Sequence, residues 1–481
     1  MQFITMAGLL ACLTIAFLCT ATALPQCNRK TVEIEGASKL SFAVVGDWGR
    51  VGAEDSLFNP TTVNMCKNYG MCCSNLQQPN YPDNFDYSDV LDGPQQRYAA
   101  SLLNEVCGSA GCQFVLGMGD NFYPCGADSL ESGLNRFTSD WQNVYHTQAV
   151  PNIANLKWYQ ILGNHDYGFN TSVDTQLGYA DLDNRWVMPS TYYAQTFVAG
   201  DVSMDVEFLN QVPFIAPYAH PKPKKSYYTN YLASQITPSY INSDAEQYLN
   251  ATTGICNVPP ANASFISSIS DGATGQIPWL KSCLEASNAT WDVVVGHFAM
   301  YGSDVNWFEE SNKTLYPGNC GAFGSMKALF EEYPIDAYFN GHDHTQTHAD
   351  PSKKGQLSGT SPDYGNVTYT VNYDVRIPPT QYFTLGNGGS VQYGDGVTLA
   401  SPKYFNNFTD VIYNSNVQYS ASAITDSASD NAAVGEGFAI VTADACTMEV
   451  KFYNIENYNP ALDITPVHTA VMDKCGSTAA A

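Results

Sequence analysis

The sequence predicts a layered α/β fold, and three observations carry that expectation. Short apolar runs that read as buried strands alternate with segments of helical period. Each of these strands stops at a glycine-containing turn. Immediately past each turn stands a cluster of carboxylate, amide or imidazole side chains. In layered α/β folds, ligands collect beyond the C-terminal ends of the strands, so the pattern gathers the polar clusters at one edge. No internal repeat runs through the 481 residues.

The elements follow in order. Residues 40–46 (LSFAVVG) form a buried strand that meets Asp47, Trp48 and Gly49 at once. Residues 66–92 hold Cys66, Cys72 and Cys73 among many Asn, Pro and Tyr, and read as disulfide-pinned surface. After Gly93 and Pro94 the spacing predicts a helix to about Cys107. Its Ala99, Leu102, Leu103 and Val106 repeat at i, i+3, i+4 and i+7. The run Phe114, Val115, Leu116 ends in a Gly-x-Gly turn that delivers Asp120 and, three residues on, Tyr123. A helix is expected over 129–145 and a strand over 157–162, which leads into Gly163, Asn164, His165 and Asp166.

Residues 203–273 lack periodicity and are expected to be an elaborated insertion. A helix over Gln276–Ala286 turns Ile277, Leu280 and Leu284 inward, and a strand over 292–295 empties into Gly296 and His297. A helix over 322–333 and a strand over 337–340 lead to Gly341, His342, Asp343 and His344. Further strands are expected at 381–385, 437–441 and 447–453. The Asn/Ser/Asp-rich stretch 401–433 is expected to be irregular.

The N-terminal residues have the form of an export signal. Residues 6–19 are apolar, 14 in all and too short for a bilayer that needs about 20. Ala21-Thr22-Ala23 makes a small-x-small cleavage site, so residues 1–23 are expected to be removed, although no Lys or Arg precedes the apolar run. Of 14 cysteines, 12 lie beyond the signal, an even number that fits disulfides in an exported chain. N-glycan acceptor sequences occur at Asn170, Asn250, Asn262, Asn288, Asn312, Asn366 and Asn407. Together these features predict a secreted glycoprotein, extracellular or in a lysosome-like compartment. With 21 basic and 46 acidic residues the formal charge is −25. Such a surface repels nucleic acid and anionic membranes, neither of which is expected as a partner. It also repels phosphate esters at long range, so any anionic substrate must be captured by positive charge at the site itself.

Five clusters carry the chemistry: Asp47; Asp120 with Tyr123; Asn164 with His165; His297; and His342 with His344. A glycine directly precedes the first polar residue of all five, although glycine makes up only 37 of 481 residues. Glycine allows a sharp turn and close backbone approach, which lets the next side chain enter a shared cavity. Hard oxygen and imidazole without thiolate excludes a structural zinc site and suits iron, manganese or zinc in a catalytic pair. In two-metal hydrolysis the cations sit roughly 3.5–4 Å apart and lower the pKa of a bound water that then attacks. No Ser/His/Asp elbow and no phosphate loop with Lys competes with this reading. Trp48 and Phe122 are expected to pack beneath the site. His348, four residues after His344, reads as surface.

The motifs Gly46-Asp47-Trp48-Gly49, Gly119-Asp120-Asn121-Phe122-Tyr123, Gly163-Asn164-His165-Asp166, Val294-Val295-Gly296-His297 and Gly341-His342-Asp343-His344 resemble those of the calcineurin-like metallophosphoesterases. Tyr123 is similar to the tyrosine of the purple acid phosphatases. Asp166-Tyr167, Arg185-Trp186, Pro189, Tyr192-Tyr193 and the late Gly437-Phe438-Ala439 resemble the small, tartrate-resistant type.

The resemblance implies two mixed β-sheets packed face to face and flanked by helices. It makes residues 24–475 a single domain with insertions near 66–92, 203–273 and 401–433, and a tail at 476–481. It implies an iron(III) site of Asp47, Asp120, Tyr123 and His344. A second, divalent site (iron, zinc or manganese) would share Asp120 and take Asn164, His297 and His342. His165 is similar to the family's general acid. The implied function is acid hydrolysis of phosphate monoesters by a metal-bound hydroxide, on small phosphoesters and with phosphoproteins as further candidates. A phosphodiesterase or nucleotide hydrolase on the same frame is the alternative, and a non-catalytic secreted interaction glycoprotein a more distant one. The family's second histidine, nine residues after the position of His297, is replaced by Asn306. Asn306 cannot move a proton at mild pH, and His220 is a candidate substitute.

Overall fold

The computed structural model describes residues 26–49, 95–123, 126–127, 136–167, 172–211, 275–300, 329–330, 332–342, 346–350, 367–371, 380–386, 388, 411–414, 437–454 and 464–476. The strands among them are, first, β1 (Arg29–Glu33), β2 (Leu40–Val45), β3 (Phe114–Gly117), β4 (Lys157–Gln160), β5 (Trp186–Val187), β6 (Tyr193–Ala199), β7 (Val202–Phe208) and β8 (Trp291–Val295). Then come β9 (Ala337–Asn340), β10 (Gln346–Ala349), β11 (Val367–Val371), β12 (Gln381–Leu385), β13 (Val411–Asn414), β14 (Gly437–Ala443), β15 (Thr447–Asn454) and β16 (His468–Asp473). Three helices matter to the site: α1 (Gln95–Ala110), α2 (Ser172–Tyr179) and α3 (Gln276–Ala286).

The strands form two mixed sheets of eight, as the resemblance implied. One runs β1-β6-β7-β8-β9-β12-β10-β13 and the other β11-β16-β15-β14-β2-β3-β4-β5. Within the second, β2, β3, β4 and β5 are parallel, while β14 pairs antiparallel with β2 and β15. A parallel strand covered on both faces must be apolar throughout, and all six residues of β2 are buried. The sheets meet across an aromatic core. Phe114 of β3 stacks on Phe42 of β2 at 4.8 Å and, across the interface, on Phe197 of β6 at 4.0 Å. Phe383 of β12 meets Phe452 of β15 at 6.0 Å.

Helices cover the outer faces. α1 packs on β2 and β14. α3 lays Ile277, Leu280 and Leu284 against Val294 and Tyr338 of the other sheet. Disulfides join Cys27 to Cys283, Cys107 to Cys112 and Cys446 to Cys475. No helix among the described residues is long and apolar enough to cross a membrane.

Three expectations need correction. Residues 203–208 belong to β7, an interior strand, rather than to an insertion. Asp205 and Glu207 break its apolar pattern, yet both are buried because Arg29 of β1 pairs with them. Arg29 Nη2 lies 2.6 Å from Glu207 Oε1, and Arg29 Nε lies 3.3 Å from Asp205 Oδ2. Within 401–433, Val411–Asn414 is a strand rather than irregular, and it pairs antiparallel with β10. The helix expected over 129–145 is, in its described part, a π-helical turn at Phe137–Gln142 that continues as α-helix over Asn143–Tyr145. Residues 1–23, 66–92 and six of the seven glycan acceptor sites lie outside the described residues; Asn288 is described and exposed.

Candidate metal centre

Five strand ends converge on one point between the sheets. β2, β3 and β4 present Asp47, Asp120 and Asn164, while β8 and β9 present His297 and His342, each from the C-terminal end. Main-chain hydrogen bonds join the turns. Asp47 N donates to Gly119 O at 3.0 Å, Gly341 N to His297 O at 3.0 Å, and Gly46 N crosses between sheets to Leu385 O at 3.0 Å.

The turns are tight enough to constrain both backbone and side chain. Asp47, Asp120 and His342 have φ of 57°, 52° and 69°, and they are the only non-glycine residues with positive φ among the described residues. Left-handed backbone at such residues costs about 1–3 kcal/mol each and concentrates where structure enforces it for function. A Cβ on Gly163 would lie 2.2 Å from Asp120 Oδ1, and one on Gly119 would lie 2.6 Å from Gly163 N. Only glycine permits this approach of the β3 and β4 turns.

The donor atoms fall into two groups that share Asp120. In the first, Tyr123 Oη lies 2.8 Å from Asp47 Oδ1 and 3.0 Å from Asp120 Oδ2. In the second, Asn164 Oδ1 lies 2.9 Å from His297 Nε2 and 2.8 Å from His342 Nδ1, while His297 Nε2 stands 3.4 Å from Asp120 Oδ2. Ligand atoms of Asp120, His297 and His342 all lie within 4.8 Å of one another. The main chain orients these groups. His342 N donates to Asp47 Oδ2 at 2.8 Å, and His165 N donates to Asp120 Oδ1 at 2.7 Å.

The donor set fits metal ions. Met118 O can only accept, so His297 Nδ1, 2.8 Å away, carries the proton. In the neutral ring, Nε2 then aims a lone pair at two further oxygen acceptors. Burial alone would lower the basicity of His297, but Asp120 more than reverses this and pushes it up to about 9. Burial would likewise raise Asp120, yet His297 and then His165 hold it well below the usual carboxylate range. An imidazole whose far N–H is fixed on a backbone carbonyl is the usual form of a metal-bound histidine.

His165 follows Asn164 but is not drawn into the donor set. Its side chain is 28% exposed, its Nε2 stands 4.0 Å from Asp120 Oδ2, and its ring packs 4.4 Å from that of Tyr123. Trp48 and Phe122 pack beneath the centre as expected, 5.6 Å apart, and Trp48 also meets Tyr145, Trp158 and Trp186. His344, Asn306 and His220 lie outside the described residues. His348 is not on the surface: it is fully buried on β10 and bonded to His468 and Gln381.

Sequence reasoning missed three supports. Met118 O orients His297. Gln211 accepts from Phe298 N and donates to Tyr338 Oη, which holds the turn after His297. Asp166, in plain view beside His165, accepts backbone N–H groups from two of the turns. A lone carboxylate after two functional residues has no spacing that distinguishes a brace from a ligand, so only the fold reveals its role.

The model of the calcineurin-like phosphoesterase family matches residues 40–346, which begin at β2 and end just past the last of these motifs. The chain belongs to that family and is a metallophosphoesterase. It is similar to purple acid phosphatase 17 of Arabidopsis thaliana, with 24% identity over 345 residues, 71% of this chain and 72% of the relative. It is also similar to the tartrate-resistant acid phosphatase type 5 of Oryctolagus cuniculus, with 23% identity over 313 residues, 64% of this chain and 69% of the relative. Among solved structures, GAP50, the anchor in the inner membrane complex of Plasmodium, aligns with a TM-score of 0.45 at 14% identity over 89% of each chain.

Proposed function

We propose that the protein is an exported acid phosphatase that hydrolyses phosphate monoesters at a dinuclear centre of iron(III) and a divalent iron, zinc or manganese. The observation that carries this reading is the pair of donor groups sharing Asp120. A phenol and two carboxylates form one group, suited to a hard trivalent ion, and amide oxygen and imidazoles form the other. Asp47, Asp120, Tyr123 and His344 would hold the first ion, and Asp120, Asn164, His297 and His342 the second. Bound there, the ions would supply the positive charge that a chain of net −25 otherwise lacks, polarise the phosphoryl group and acidify water.

The chain's own residues do the rest. His165 N–H fixes Asp120 Oδ1, so that Oδ2 faces the donors. Met118 O fixes the tautomer of His297. His165, partly exposed beside the centre, holds a proton for the departing alcohol oxygen. Export is supported by the three disulfides among the described residues, since disulfides persist in oxidising compartments. The expected substrates are small phosphoesters and phosphoproteins.

The test is metal analysis of the purified protein together with hydrolysis of p-nitrophenyl phosphate and bis(p-nitrophenyl) phosphate at acidic pH. Two metals per chain and a preference for the monoester are expected. A preference for the diester would shift the reading to a phosphodiesterase, and metal-bound protein inactive on both would leave an interaction glycoprotein.

A further inference from the structure

We propose that Asp166 is the positioning residue of the metal centre, a buried carboxylate that fixes Asp120 against Asn164 by gathering the backbone of both turns. The inference rests on the reading of the centre as metal-binding.

Asp166 is fully buried. Its Oδ1 accepts from Asn121 N at 3.0 Å, Phe122 N at 3.3 Å and Gln176 Nε2 at 2.9 Å. Its Oδ2 accepts from Asn121 N at 3.1 Å and Gly163 N at 2.8 Å. Asn121 and Phe122 directly follow Asp120, and Gly163 directly precedes Asn164. One carboxylate therefore ties the main chain after one ligand to the main chain before another. The tie is reciprocal, because His165 N of the second turn donates to Asp120 Oδ1 of the first at 2.7 Å. Each turn lends its carboxylate to the backbone of the other.

A second layer holds Asp166 in place. Gln176 on α2 donates its Nε2 to Asp166 Oδ1 and accepts Asn121 Nδ2 at 3.0 Å, and Asn121 Nδ2 also reaches Ile161 O at 2.8 Å. Trp186 Nε1 donates to Gln176 O at 3.0 Å. Asn121 and Gln176 are as fully buried as Asp166.

These contacts mark Asp166 as a brace and not a ligand, since all five run to N–H donors and none to a metal-ligating side chain. They also specify a carboxylate. Every hydrogen-bond partner of both oxygens is a donor, and a carboxyl group offers an accepting oxygen on each side where an amide offers only one. An asparagine would turn an amide N–H toward the backbone N–H of Asn121 or Gly163, and the two turns would part. Groups that orient metal ligands from behind typically change metal affinity 10–100-fold when replaced.

The test compares full-length wild type with Asp166→Asn, Gln176→Leu and, as a remote buried carboxylate, Glu207→Gln. Each protein is loaded with metal and dialysed against graded chelator. Retained metal is measured by mass spectrometry, thermal midpoint by calorimetry, and kcat and KM on a phosphate monoester. Asp166→Asn should release metal at 10–100-fold lower chelator concentration, with kcat falling more than KM rises and partly recovering in excess metal. Gln176→Leu should shift release in the same direction by less. Glu207→Gln should lower the thermal midpoint and leave metal retention unchanged.

Wild-type retention by Asp166→Asn would overturn the proposal, as would equal metal loss from Glu207→Gln, which would reduce the effect to general instability. Should Asp166→Asn not fold, wild-type retention by Gln176→Leu overturns it. Wild-type protein that holds no metal overturns the metal-centre reading itself, and the brace with it.

Discussion

Tyr123 Oη lies 2.8 Å from Asp47 Oδ1 while also standing 3.0 Å from Asp120 Oδ2, so one hydroxyl faces carboxylates from two different strands. A phenol has one proton, and it can satisfy only one of these oxygens at a time. A cation held by these residues would remove the conflict, since it would attract the oxygens and favour the phenolate. A metal bound there would give Tyr123 a chemical role that its burial alone does not.

If iron(III) occupies that position, the oxidised protein should absorb in the visible through phenolate-to-metal charge transfer. Tyr123→Phe should lose this band and retain part of both metals, because Asp47 and Asp120 remain. The readout is the absorption spectrum beside metal content. An iron-containing wild type with no visible band would remove Tyr123 from the ligand set.

Gly163→Ala offers a purely steric test. The new methyl would lie 2.2 Å from Asp120 Oδ1 and 2.6 Å from His297 Cε1, both parts of the proposed centre. Asp120 must move, and a displacement near 1 Å can cost about 10²-fold in rate. Circular dichroism should remain that of wild type while metal content and kcat fall. Native activity in this variant would mean that the turns can separate without harm to the chemistry.

What was legible in the sequence, and what was not, divides by the range of the interactions involved. Asp47, Asp120, Asn164, His297 and His342 were visible because each follows an apolar strand and a glycine, a pattern written within ten residues. The helix at Gln276–Ala286 and the strands Ala337–Asn340 and Gln381–Leu385 were visible for the same local reason. β7 was not, because Asp205 and Glu207 look like surface until Arg29, more than 170 residues away, is seen beside them. His348 failed likewise: its partner His468 is 120 residues distant. Asp166 was quoted within its motif, but its task depends on the meeting of two turns that sequence does not place together.

The buried His348–His468 pair should make stability depend on pH. His348 Nδ1 and His468 Nε2 are 2.9 Å apart, His348 Nε2 lies 2.9 Å from Gln381 Oε1, and the pair spans the two sheets from β10 to β16. Burial lowers His348 from 6.5 to about 4, although Gln381 and Asp350 oppose the shift, and burial and His348 push His468 well down. Both groups are bases with folded values below their unfolded ones. The unfolded chain therefore takes up protons that the folded chain refuses, and stability falls as pH drops from about 6.5 toward 4. A displacement of this size corresponds to about 3 kcal/mol at the low end for His348 alone. The double variant His348→Leu/His468→Leu should show a flatter profile than wild type between pH 7 and 4 in urea unfolding. Parallel profiles would show that neither imidazole is linked to folding over that range.

The last prediction concerns the proton that leaves with the alcohol. A phosphate monoester departs as an alkoxide, and the more basic that oxygen, the more the transition state depends on a proton donor, a contribution of typically 10²–10⁴-fold. His165 is placed for this: adjacent to Asn164, partly exposed, its ring on Tyr123 and its Nε2 4.0 Å from Asp120 Oδ2. Its backbone N–H makes the 2.7 Å bond to Asp120, a contact that does not depend on the ring. If the imidazolium is the active form, rate should decline as pH rises. His165→Ala should accordingly lose far more kcat/KM with an alkyl phosphate than with an activated aryl phosphate, whose leaving group needs little help. Metal content should not change, since the backbone contact to Asp120 survives the substitution. Equal losses on both substrates with metals retained would assign His165 to binding the phosphoryl group rather than to protonating the alcohol.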